Sequence, residues 1–277
     1  RPRDAEVAFA AEVGGIPSVS VGRTGMTDGD FTAAFRGGVT YVLDPSRSVT
    51  MQYTLFESNE GDAISAGIGN DIQSLVGHPL LFIPDNFSDA TASHSIDFDL
   101  IDMDYRHMLD CCDRQQLNIL LGARYSQMEQ SFSASFTGNG TQDVDTTIEF
   151  YGLGLKAGLE GERYTKSNRY LVYGSLIGSL MAGEFEATYN ESVDLRGTDS
   201  GTTWEAGRLV PTLDLELGAG WQSQCGTWRI TGGYMFSSWF NVIKTDNWIK
   251  GFQSSDFVDM GDSMTFDGFV AKIEGRF

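Results

Sequence analysis

No run of about 18 apolar residues occurs anywhere in the chain, so it has no helix able to cross a membrane. That absence excludes a helical membrane protein but not a strand-built one, because a spanning β-strand is apolar only at every second residue. Cations are also scarce: 19 Lys and Arg stand against 38 Asp and Glu, a net charge of −19. Nucleic acid is thereby excluded as a partner, since it is held by clustered Lys and Arg. Histidine is limited to 3 residues, and no nucleophile elbow, phosphate-binding glycine loop or zinc spacing occurs. His94 beside Asp97 or Asp99 is the nearest approach to an acid–base pair, and a lone histidine near acids is more often a surface residue than a catalyst. The expectation is a protein that is not an enzyme and needs neither metal nor cofactor.

What the chain has instead is glycine, 33 residues, and aromatics at 12%, a pairing that suits curved sheets better than helical bundles. Strict apolar/polar alternation recurs in about ten segments. Phe31, Ala33, Phe35, Gly37, Val39, Tyr41 and Leu43 share one face, opposite Thr32, Arg36, Gly38 and Thr40. Leu117, Ile119, Leu121, Ala123 and Tyr125 do the same, as do Leu153 to Leu159 and Leu209 to Trp221. Short turns near Asp44–Arg47, Asp110–Arg114, Gly161–Ser167 and Ser223–Thr227 alternate with long connections at Glu12–Asp30, Glu57–Ser93, Thr137–Asp143, Ala187–Glu205 and Lys244–Asp262. This pattern predicts one domain over residues 1–277. The fold expected is an all-β, transmembrane, antiparallel up-and-down β-barrel of about ten strands (eight or twelve are the alternatives), with short periplasmic turns and long extracellular loops, 57–93 the longest. A soluble β-sandwich is the competing fold. The chain opens on Arg1-Pro2-Arg3 with no apolar export segment, so a signal peptide is expected to have been removed or left out of the numbering.

Further expectations follow from the barrel. Between Leu100 and Ile101 the apolar face changes from Ile96, Phe98 and Leu100 to Ile101, Met103 and Tyr105, which reads as a β-bulge. Aromatic girdles are expected at Tyr41, Tyr170, Trp221 and Trp228 on one side and at Phe31, Phe150, Trp239 and Phe240 on the other. In the last strand Phe269, Ala271, Ile273, Gly275 and Phe277 face outward. Phe269, Ile273 and the terminal Phe277 form the signal that barrel-assembly machinery reads in outer-membrane proteins generally.

From His94 onward, about two-thirds of the chain resembles the Legionella-type family of pore-forming major outer membrane proteins, particularly the planctomycete versions. The resemblance is carried by Asp97-Phe98-Asp99-Leu100-Ile101-Asp102-Met103-Asp104-Tyr105, Leu121-Gly122-Ala123-Arg124-Tyr125, Leu215-Glu216-Leu217-Gly218-Ala219-Gly220-Trp221, Gly233-Tyr234-Met235-Phe236 and Asp262-Ser263-Met264-Thr265-Phe266-Asp267-Gly268. It implies an outer-membrane barrel that forms pores, and it carries over no catalytic residue.

Inward charges at mid-wall are the candidate site. Arg36, Asp99, Asp102, Arg124, Lys156, Asp214, Glu216, Arg229 and Lys272 are expected to line the lumen, where charges persist only if paired. Ten strands give a backbone diameter of roughly 20 Å, most of it taken by side chains. The function expected is a narrow pore for ions or small solutes. The alternative is a structural or anchoring barrel with a filled lumen inside a larger envelope assembly. The expected location is the bacterial outer membrane, with lipid as surroundings, and a second copy or other envelope proteins are open as partners. The segment His78-Pro79-Leu80-Leu81-Phe82-Ile83-Pro84 is an apolar patch that could plug the lumen or simply pack as a loop. Cys111, Cys112 and Cys225 all fall in proposed periplasmic turns. A disulfide is open, although the two turns lie roughly 19 Å apart against the roughly 7 Å that a bridge spans, and the odd count leaves one thiol over.

Overall fold

The computed structural model describes residues 1–14, 19–27, 29–79, 87–112, 114–194, 198–258 and 260–276, with the side chains of 110–112 and 198 outside the description. In chain order the elements are β1 (Pro2–Arg3), β2 (Val7–Gly14), β3 (Val19–Thr27), β4 (Ala34–Asp44), β5 (Arg47–Ser65), β6 (Asp71–Ser74), β7 (Phe87–Cys112), β8 (Gln115–Gly138), β9 (Thr141–Tyr164), β10 (Tyr170–Val193), β11 (Thr198–Gln222), β12 (Trp228–Ile243), α1 (Thr245–Ser254) and β13 (Gly261–Gly275). Nine of these make a continuous antiparallel wall, β4-β5-β7-β8-β9-β10-β11-β12-β13, curled as a half-barrel. β4 and β13 run the same way, from the loop end to the turn end, and no ladder joins them among the described residues. The free edge of β13 pairs instead with β1, antiparallel, at Phe266 and Thr265. β2, β3 and β6 form a small sheet at the loop end.

The strands are far longer than a membrane requires. β7 has 26 residues and β8, β9 and β10 have 24 each, against the roughly 9 to 11 that span a bilayer. The reason lies in their polarity, which reverses part way up. On the lower part of β8, Leu117, Leu121 and Tyr125 face outward and are exposed, while Arg124 and Ser126 face inward and are buried. Above Gln127 the sense inverts: Glu129 and Ser133 are outside, and Met128, Phe132 and Phe136 are buried inside. β9 repeats this, with Leu153 and Leu155 exposed below and Val144, Ile148 and Phe150 buried above. The lower wall thus has the polarity of a strand set in lipid and the upper wall that of a strand in a water-soluble barrel.

This inversion replaces the bulge expected at Leu100/Ile101. The ladders of β7 with β5 and β8 run through that point without a shift in register. Leu100 is buried inside and Ile101 exposed outside, so the two-residue period is unbroken and only the environment changes. The outer aromatic girdle is corrected for the same reason. Phe150 and Trp239 are buried in the interior, and Tyr53, Tyr125 and Tyr151 stand exposed at the upper edge of the apolar belt. From Tyr170 to Leu180 that belt climbs roughly 25 Å along tilted β10, a bilayer's hydrocarbon thickness.

The loops read as long are mostly strand. β5 continues to Ser65, β7 begins at Phe87, and β8 meets β9 through a turn after Gly138. The connection Lys244–Asp262 holds helix α1, which alternation does not reveal.

A candidate lumen in two layers

The lower layer of the interior is ionic. Arg124 on β8 donates from Nε and Nη2 to the two oxygens of Asp102 at 2.8 and 3.0 Å, and from Nη1 to Asp214 at 2.7 Å. Lys156 on β9 donates to Asp102 at 2.8 Å and to Asp104 at 3.0 Å. Glu216 on β11 receives Lys272 at 2.6 Å, the Tyr173 hydroxyl at 2.8 Å and Arg36 at 3.5 Å. Because Arg36 lies on β4 and Lys272 on β13, one carboxylate draws the two ends of the sheet together where the backbone does not. Arg106 holds Glu160 at 2.8 Å, and Arg229 holds Glu162 at 2.8 Å, nearer the turn end.

These groups are six cations (Arg36, Arg106, Arg124, Lys156, Arg229, Lys272) and six carboxylates (Asp102, Asp104, Glu160, Glu162, Asp214, Glu216), so the layer sums to 6 − 6 = 0 in a chain whose net charge is −19. A charge out of bulk water is tolerable only when paired and hydrogen-bonded, and that condition sets the balance. Small residues make room for it. A Cβ on Gly122 would lie 2.4 Å from an Asp104 oxygen, and one on Gly154 would lie 2.1 Å from the Leu180 carbonyl.

Of the nine residues expected to line a lumen, eight face the interior of the wall. Asp99 is the exception: it lies on the outer face of β7, where its carboxylate accepts the Tyr53 hydroxyl. With no bulge, every odd-numbered residue from Ser95 to Tyr105 faces outward, which carries Asp99 with it. Asp104, Arg106, Glu160 and Glu162 join them; they continue the inward periods of Asp102 and Lys156 by one to three steps, a signal that the sequence carries.

The upper layer is largely apolar. Phe56, Phe98, Trp239 and Phe266 pack together, Phe56 stacked on Phe98 and the other pairs edge-on or tilted, with ring centroids 5.0 to 6.4 Å apart, a spacing at which aromatic pairs attract. Phe150 and Phe185 meet at 4.5 Å. Into this interior comes α1, with Trp248, Ile249 and Phe252 buried and Phe252 stacked on Tyr189 at 3.9 Å. Polar groups that enter with it are paired: Trp248 Nε1 donates to the Thr188 carbonyl at 3.2 Å and Gln130 Nε2 to the Ile243 carbonyl at 2.7 Å. Phe9 of β2 is fully buried in the same cluster. The His78 ring packs edge-on against Phe252, and its backbone N–H donates to Glu191 at 2.9 Å. The apolar patch beyond it, Leu80 to Pro84, lies outside the described residues.

His94 belongs to this layer. Its Nε2 sits 3.2 Å from the Thr245 hydroxyl of α1, and its ring lies against Phe132. Asp97 faces outward from the opposite side of β7, so the histidine and the acids beside it in sequence are separated by the wall. At this height the outward neighbours are Ser93, Ser95 and Ser133, above the apolar belt. Burial holds the imidazole pKa down to about 4, partly countered by Asp246.

At the turn end, Cys225 is an exposed free thiol between β11 and β12. The hydroxyls of Ser223 at 3.5 Å and Thr227 at 3.3 Å push its pKa down to about 7. The side chains of Cys111 and Cys112, and all of Phe277, lie outside the described residues. Phe269 and Ile273 are exposed on the outer face of β13, as expected. Among the described residues, no group of three or more His, Cys, Asp or Glu is arranged to hold a metal ion.

No curated relative matches the chain by sequence. Among solved structures, OmpT, an outer membrane protein of Vibrio cholerae (in-vitro folded, trimer form), aligns over 96% of this chain and 97% of its own at 8% identity. Its TM-score of 0.12 is too low to carry weight. The family model described as Legionella pneumophila major outer membrane protein precursor matches residues 4–270, well before His94 as well as after it. With an outward apolar belt on an antiparallel wall, this is the family of a porin-like protein of the outer membrane, and the chain belongs to it.

Proposed function

We propose that the protein is a narrow pore for ions or small solutes, closed in this conformation by the apolar layer at its extracellular end. One observation carries the reading: a charge-balanced polar layer lies beneath a largely apolar plug that includes a separate helix. A polar interior of Arg, Lys, Asp, Glu, Ser and Thr suits the passage of hydrated solutes. Its zero net charge predicts little preference between anions and cations.

The plug decides how much passes. Returning Trp248, Ile249 and Phe252 to water costs about 1.5 to 3 kcal/mol for each side chain, roughly 5 to 9 in all. An open form at that cost is populated below about 1 part in 1,000. The resting protein should therefore conduct rarely. Planar-bilayer recording tests this. Wild type should give infrequent openings, and the Trp248→Ala/Phe252→Ala variant should open often, with near-equal anion and cation permeability.

The aromatic cluster of Phe56, Phe98, Trp239 and Phe266 favours a second reading, a structural barrel with a permanently filled lumen. That reading wins if the plug variant folds, as judged by heat-modifiable mobility on a gel, and still does not conduct.

A further inference from the structure

Most cations in this acidic chain face a carboxylate, Arg208 instead meets Asn241 and the Trp204 ring, and the cations that have no such partner share one place. Among the described residues, the side chains of Arg114, Arg163, Lys166 and Arg169 have no acidic, polar or aromatic partner. All four lie at the turn end where β8, β9 and β10 begin or finish. Three of them, Arg114, Arg163 and Lys166, line an open depression of about 1270 Å³, together with Tyr164, Tyr170, Val172 and Ala219. Arg163, Val172 and Ala219 are consecutive on one register row. The depression therefore passes from a basic rim directly onto the outward apolar belt.

Unpaired surface cations are ordinary, but a −19 chain has acids enough to pair them, and elsewhere it mostly does so. Here it presents uncompensated positive charge beside the exposed Tyr170 and an apolar floor, at the level where a bilayer's hydrocarbon ends. That combination suits an amphiphile with an anionic head. We propose that this depression binds an anionic phospholipid of the periplasmic leaflet, its phosphate held by Arg163, Lys166 and Arg114 and an acyl chain lying along Val172 and Ala219.

The test uses the purified full chain in dodecyl maltoside, mixed with phosphatidylglycerol or with phosphatidylcholine, and the lipid retained per barrel is counted by native mass spectrometry. Wild type should retain one phosphatidylglycerol, and about tenfold less phosphatidylcholine, the difference made by one net charge on partly desolvated cations. Arg163→Gln/Lys166→Gln should lower phosphatidylglycerol retention by at least about tenfold. Arg47→Gln, at another turn and already facing Asp44 at 3.7 Å, should leave it unchanged. Equal retention by the double variant overturns the proposal, as does equal retention of the two lipids. Displacement of the lipid by millimolar inorganic phosphate also overturns it, by assigning the cations to a free anion. Should the double variant lose heat-modifiable mobility, Val172→Trp fills the apolar floor and leaves every charge in place; unchanged retention in that variant sinks the proposal equally.

Discussion

Asp102 and Arg124 are ladder partners on β7 and β8, and the guanidinium makes two bonds to that one carboxylate while another reaches Asp214 across the interior. Asp102 also receives Lys156, so it is the point through which two buried cations are neutralised. Asp102→Ala should destabilise the barrel by about 3 kcal/mol, the cost of a broken buried pair, tempered because each cation keeps a second carboxylate. Asp99→Asn, three residues away on the outer face, should cost less than about 1 kcal/mol, as exposed polar contacts do. Urea unfolding in lipid, followed by gel mobility, checks both. Equal effects at the two positions would remove the distinction between the faces.

The contrast between Asp99 and Asp102 also shows what the sequence makes legible. Period-two alternation places inward and outward residues correctly over the whole lower wall, because lipid outside and charge inside are an unambiguous pair. Alternation alone does not say which solvent lies outside. Where the wall rises clear of lipid, the apolar set moves inside without any change of register, and Ile96, Phe98 and Leu100 look like a face that has slipped. The same inversion put Phe150 and Trp239 in a girdle and made the upper strands look like loops. Helix α1 was hidden for a different reason: its 10 residues give only Trp248, Ile249 and Phe252 at helical spacing, too few to stand out from a loop. The ion pairs between strands distant in sequence, such as Arg36 with Glu216, depend on the curl of the sheet, which no local pattern encodes.

The buried histidine makes stability depend on pH. His94 titrates near 4 in the folded barrel and near 6.5 when unfolded. A lowered folded value means the unfolded chain takes up the proton first, so the folded state is at full strength above about 6.5 and weakens as the pH falls toward 4. The loss is on the order of 3 kcal/mol by linkage. The thermal midpoint of wild type should fall across that window, and that of His94→Gln, which keeps a partner for Thr245, should fall less. Parallel curves for the two proteins would show that other groups control acid lability.

Cys225 should behave as a reactive thiol. Alkylation by iodoacetamide, measured in a Cys111→Ser/Cys112→Ser background, should rise with pH to a midpoint near the pKa of about 7, since the thiolate is the nucleophile. Ser223→Ala/Thr227→Ala removes the two hydroxyls that hydrogen-bond the sulfur, and the midpoint should move up toward the ordinary value of about 8.5. A midpoint indifferent to those substitutions would mean that the hydroxyls do not set the thiol's acidity.

The last prediction concerns the outer face above the apolar belt. Glu57, Asp97, Glu129, Glu149, Glu186 and Glu205 occupy one register row across six neighbouring strands, each paired directly with the next. Like charges directly opposite on a sheet repel by roughly 0.2 to 1 kcal/mol for each pair. Glu186 stands between Glu149 and Glu205, so Glu186→Gln relieves two such contacts at once. Burial, and to a smaller extent the neighbouring carboxylates Glu57, Glu129 and Asp99, raise the pKa of Asp97 in the same row. The variant should be more stable than wild type by about 1 kcal/mol at low ionic strength. The gain should fade toward zero near 1 M salt, where screening acts over about 3 Å. Both proteins must be compared without divalent ions, which would neutralise the row in wild type and mask the difference. A Glu186→Gln barrel that is no more stable at low salt would mean that the side chains splay apart far enough for water to screen them, and that the acidic row costs the fold nothing.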